Sequence, residues 1–196
     1  MKQNKQDAKK QIIDSTIQLI RDHGDISKVT IRDICERSNV GVGLVNYHFQ
    51  SKDNLIRVCV QKIIGNIING FDDLQKSINL KPIDKLKLLL RINLKFLIEN
   101  PGISKVSIIS DLINGDSNDN SIQTRNAYLG LLKEIYGNSK TEDELKVILH
   151  ILVSTLQVIF LRKDIIKTTD KIDFDNEIQR DEFINNIVDR IFFDIQ

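Results

Sequence analysis

Apolar residues return at every third or fourth position along nearly the whole of this sequence, and little interrupts them: 196 residues contain only two prolines. That recurrence, close to 100° per residue, is the signature of a helix with one buried side, whereas a half-buried strand alternates. Nine glycines and the polar residues around them supply the stops. An all-α chain of about nine helices with no strand is expected.

The punctuation places the elements. A first helix runs from about Asp7 to His23, with Ile12, Ile13, Thr16, Ile17, Leu19 and Ile20 on one side and Gly24 as its stop. Thr30, followed three residues later by Asp33, approximates a capping box for a second helix that ends near Asn39. Val40 to Val42 is too short for anything but a tight turn; a third short helix ends at Phe49, and Ser51 caps a fourth. Further helices are expected from Pro82 to Asn100, Ile103 to about Asn114, Ser121 to Tyr136, Thr141 to about Arg162, and Asn176 to Ile195. The run Val147 to Leu161 has 11 apolar residues in 15. It is short for a bilayer span, so it reads as a buried helix and no membrane partner is expected.

Charge and side-chain chemistry narrow the function classes. The net charge is +1, but residues 1–62 carry 11 Lys+Arg against 7 Asp+Glu, and the remainder is net acidic. An anionic partner for the front end follows. Cys35 and Cys59 form no Cys-x-x-Cys pair, which suits a reduced, cytoplasmic protein without a metal site. The polar start MKQNKQDAKKQ does not resemble a signal peptide. No glycine-rich phosphate loop is present, and of His23, His48 and His150 only the last is a candidate base. Neither an enzyme nor a resident cofactor is expected.

Two helices of eight to ten residues joined by a short turn and braced by a longer helix make a helix-turn-helix. Its second helix must bury one side and offer the other to the major groove, about 12 Å wide. Plotted at helical spacing, Val42, Val45 and Phe49 fall within about 60° of one another. Gly43, Leu44, Tyr47 and His48 occupy the outer arc, with Asn46 at its edge. Gly43 costs a short helix about 1 kcal/mol against Ala. Close approach to a DNA backbone explains it, and so does helix-start geometry.

The stretch TIRDICERSNVGVGLVNYHFQSKDNL, Thr30 to Leu55, resembles the signature of TetR-family transcriptional regulators. The resemblance implies that Thr30 opens the second helix, Gly43 is the recognition-helix glycine, Tyr47-His48-Phe49 ends that helix, and Lys52 begins the fourth. It further implies DNA contacts from Thr30, Gly41, Val42, Gly43, Leu44, Asn46, Tyr47, His48 and Lys52. Donors on Thr30, Tyr47, His48 and Lys52 suit phosphates. Leu44 and Asn46 suit a thymine methyl and an adenine edge. Gly41 stands where a serine is usual and Asn46 where a tyrosine is common, so direct readout is thin and DNA shape shares the specificity.

On the same footing, residues 1–52 are expected to be the DNA-binding domain and 53–196 a helical effector-binding and dimerisation domain. The surplus apolar surface of Val147 to Leu161 and of the last helix suits an intermolecular four-helix bundle, hence a homodimer on a double-stranded operator. By resemblance, the middle helices enclose a small apolar or amphipathic effector whose binding releases a repressor from DNA. Asn93, Ser107, Ser110, Asn126, Tyr128 and Gln157 are the polar candidates there.

Overall fold

A computed structural model of the chain describes residues 2–192. Among them are nine α-helices and no strand: α1 (Lys2–His23), α2 (Ile31–Ser38), α3 (Val42–Phe49), α4 (Lys52–Ser77), α5 (Pro82–Glu99), α6 (Pro101–Asn114), α7 (Asn120–Tyr136), α8 (Glu142–Thr169) and α9 (Glu177–Ile191). The expected end of the last helix, through Ile195, lies outside the described residues.

Most boundaries follow the caps. The Thr30 and Thr141 side chains accept from the amides of Asp33 and Glu144, whose carboxylates accept in return from the cap amides, so both capping boxes are closed. Three boundaries differ from expectation. Helix α1 starts five residues before Asp7, because lysine and glutamine support a helix without needing an apolar face. Helix α6 starts at Pro101, whose ring suits a first turn. Helix α8 runs seven residues past Arg162, to Thr169. A 3-10 turn at Ile26–Lys28, capped by Asp25, was not marked by any periodicity.

The chain forms two compact units. The first comprises the chain up to Asn66 together with Gly102–Gly115. Here α1 packs on α2 and α3, and Ile12, Ile20, Val29, Ile34, Val45, Phe49, Leu55 and Cys59 are all buried. Each such aliphatic or aromatic side chain contributes about 1.5–3 kcal/mol of burial. Thr16 hides its hydroxyl by donating to the Ile12 carbonyl at 2.7 Å. Burial pushes the Cys59 thiol up to about 12, so it acts as a small apolar core group.

The second unit comprises Ile67–Pro101 and the chain from Asp116 on. Helix α5 is its hub, packing on α7, α8 and α9 through Leu86, Leu89, Leu90, Leu94 and Leu97. Polar clamps tie α9 to α5: Arg91 meets Asp181 at 3.6 Å and Asn185, and Lys87 meets Asp189. Tyr128 is fully buried, accepts a hydrogen bond from Asn93 Nδ2 at 3.0 Å, and stacks on Phe71.

Helix α8 has two apolar sides. Leu145, Leu149, Leu152, Val153, Leu156, Ile159 and Phe160 are buried, whereas Val147, Ile151, Val158, Leu161 and Ile165 are each 39–58% exposed. With the exposed Ser154 between them, these residues step 4-3-4-3-4 along the helix, the spacing of a coiled-coil seam. At 28 residues, α8 is long and apolar enough by length and composition alone to cross a bilayer, contrary to the expected short run. Its inner side is nonetheless packed within its own unit. Helix α9 leaves less apolar surface than expected: Ile184 and Val188 are buried, Phe183, Ile187 and Ile191 are half-buried, and Ile178 is exposed.

Candidate nucleic-acid interface

Helix α3 is fixed from both ends. Before it, Asn39 adopts the left-handed conformation (φ 49°), and its amide reaches back to Cys35 and Glu36. Asparagine tolerates that conformation better than most residues. Gly41 then caps α3 without a side-chain bond. After it, Gln50 at φ 66° ends the helix and Ser51 caps α4 by accepting from the Asn54 amide at 3.1 Å.

Within α3, Val45 and Phe49 are buried, pinning one side to the core. Gly43, Asn46 and Tyr47 are exposed, Tyr47 by 65%. Val42 departs from its expected inner position: at the first residue of α3 it is 48% exposed. Leu44 and His48 are half-buried rather than fully outward. The Nε2 atom of His48 is buried with no hydrogen-bond partner among the described residues.

Lys52 and Thr30 meet at the edge of this surface. The Lys52 ammonium donates to the Val29 carbonyl at 2.9 Å, while Thr30 donates its hydroxyl to Asp33 at 2.7 Å and is exposed. That bond from Thr30 is the largest influence holding the Asp33 carboxyl below the usual carboxylate range. Among the described residues, the Val29 carbonyl takes one of the three ammonium protons of Lys52, and no second protein acceptor meets it.

The glycines separate two explanations left open by sequence. A Cβ added at Gly43 or at Gly41 meets nothing within 4 Å, and neither residue has a positive φ. The fold of the free chain therefore does not require glycine at Gly43. Two contacts escaped the sequence altogether: the Lys52–Val29 bond, and the Lys9 ammonium 5.9 Å from the centre of the Phe49 ring. Each joins residues more than 20 positions apart, beyond the reach of helical periodicity.

Residues 12–59 match the family model described as bacterial regulatory proteins, tetR family. No curated protein matches the chain. Among solved structures, RolR in complex with resorcinol is similar with a TM-score of 0.66 at 16% identity, over 97% of this chain and 90% of that one. A TetR transcriptional regulator from Rhodococcus sp. RHA1 gives 0.60 at 16% identity, over 93% and 96%. A Clostridium perfringens protein described as a fatty acid metabolism regulator gives 0.51 at 20% identity, over 94% and 96%. At these identities the likeness extends the fold, not the ligand, to this chain. Residues 12–59 thus match the N-terminal module of the tetR family, and the chain as a whole shares the helical fold of these solved regulators.

Proposed function

We propose that the protein is a homodimeric, ligand-responsive repressor that grips its operator through the exposed side of α3. The observation that carries this is the split of α3 itself: Val45 and Phe49 are locked in the core while Gly43, Asn46 and Tyr47 face outward. Asn46 and Leu44 read base edges, Gly41, Val42 and Gly43 permit close approach, and Thr30, Tyr47, His48 and Lys52 hold phosphates. Because Nε2 of His48 is buried, its phosphate contact runs through Nδ1. Residues 1–52 form the DNA-binding domain, and 53–196 bind effector and partner.

A single helix-turn-helix reads few base pairs, so two copies on half-sites about 34–36 Å apart are required. The seam of Val147, Ile151, Val158, Leu161 and Ile165 supports a dimer made by α8, with α9 contributing the lesser share. A contiguous exposed apolar stripe of this kind is a poor solvent surface and a good isologous interface. In the second unit the effector is small and apolar or amphipathic. The resorcinol bound by RolR supports a compact, weakly polar ligand. The effector acts by favouring a state whose recognition helices miss the half-site spacing. A reduced cytoplasmic setting fits the two unpaired cysteines.

Footprinting on DNA flanking the coding region tests the proposal. Protection of two half-sites, relieved by a small aromatic or acyl compound, is expected. Protection of no site in that region, with a folded dimer in hand, contradicts it.

A further inference from the structure

The basic charge that sequence assigns to the front of the chain is densest before α3 is reached: residues 1–10 hold four lysines and one aspartate. Several of the first unit's cations are already engaged. Arg37 pairs with Asp22, Lys62 pairs with Asp14 at 2.7 Å, and Lys52 donates to Val29. Lys9 is different. It is exposed, and among the described residues no carboxylate lies within ion-pair distance of it. Its ammonium instead rests 5.9 Å from the centre of the Phe49 ring.

An aromatic ring can hold a cation in place without cancelling its charge. Phe49 is the last residue of α3 and belongs to a string of rings, with His48 6.0 Å from Phe49 and Tyr47 5.1 Å from His48. The cation of Lys9 therefore sits at one end of a row whose other end is the exposed Tyr47. In duplex DNA a phosphate occurs every 1.7 Å or so along the axis, so a cation on the rim of a groove-bound helix faces backbone rather than bases. We propose that Lys9 is a DNA-backbone ligand, seated by Phe49 so that its ammonium meets a phosphate flanking the groove that α3 enters. This rests on the DNA-binding role of α3 and adds α1 to the contact surface.

The test is the salt dependence of binding to a duplex of about 40 base pairs, long enough for both half-sites, taken from the flanking DNA, and to a scrambled duplex of equal length. Lys9→Gln is expected to lower the slope of log affinity against log salt by about 0.9 per protomer. Both duplexes should weaken by the same factor, since a phosphate contact carries no base information. Lys9→Arg should keep the wild-type slope, and Lys105→Gln, an exposed lysine on α6, should leave it unchanged. A folded Lys9→Gln protein with the wild-type slope overturns the proposal, as does an equal drop for Lys105→Gln. Wild-type protein that binds neither duplex overturns this proposal and the DNA-binding role together.

Discussion

The ammonium of Lys52 donates to the main-chain carbonyl of Val29 at 2.9 Å, joining the first residue of α4 to the residue just before the α2 cap. One side chain thereby sets the spacing between two candidate phosphate contacts, Thr30 and Lys52. Lys52→Met removes both the strut and the charge. It should cost about 1 kcal/mol of stability, the usual worth of a partly exposed hydrogen bond, and weaken DNA binding as well. Lys52→Arg should recover the affinity in part. Chemical denaturation and duplex titration of the three proteins check this.

Gly43 and Gly130 offer a matched pair. Both lie in helices, and a Cβ at either meets nothing within 4 Å. Replacing either by alanine should raise stability by about 0.5–1 kcal/mol. Gly130→Ala should leave DNA affinity unchanged, whereas Gly43→Ala should lower it, because the methyl occupies space needed only when the duplex is present. Thermal melts and duplex titrations of the same two proteins separate the effects.

The sequence made the helices legible because caps and breakers act locally. Thr30 with Asp33 and Thr141 with Glu144 mark helix starts within four residues, and both boxes are closed in the structure. The inner side of α3 was nearly right for the same reason. Val42 failed because periodicity assigns an angle but cannot say whether a neighbour is present at that angle, and at the first turn of α3 little covers it. The length of α1 is underestimated because polar residues carry the helix on without an apolar face, whereas α8 continues past Arg162 through Ile165 and Ile166, the first of them in the exposed seam. Lys9 on Phe49 and Lys52 on Val29 were invisible because packing alone brings them together.

The seam on α8 predicts an oligomeric state that depends on individual residues. Ile151 and Val158 are each about half exposed, and the buried side of the helix lies elsewhere. Ile151→Glu with Val158→Glu should therefore leave the helical fold intact while converting a dimer to a monomer. Light scattering at micromolar concentration reads the mass, and circular dichroism reads the fold. A dimer that survives both substitutions places the interface on another surface.

Acid should erode the caps. Hydrogen bonds from Lys133 and Lys146 hold the Glu142 carboxyl at about 2. The Thr141 amide and hydroxyl hold Glu144 below the usual range, and the Thr30 hydroxyl does the same for Asp33. These folded-state values lie below the unfolded ones, so the stability they add is complete above about pH 5 and is lost as pH falls through the folded values. Melting temperature should decline between about pH 5 and pH 2. Glu142→Gln with Glu144→Gln should flatten that decline, a comparison made by thermal melts across the range.

The most direct test of the account is fluorescence anisotropy of a labelled duplex from the flanking DNA, titrated with wild-type protein and with Tyr47→Ala at two salt concentrations. Tyr47 is 65% exposed on α3, so its loss should spare the fold and the dimer. The account predicts tight wild-type binding that weakens steeply with salt, and a clear loss of affinity for Tyr47→Ala as a folded dimer. Equal binding by both proteins, or no wild-type binding at low salt, would contradict the claim that the outer side of α3 enters DNA.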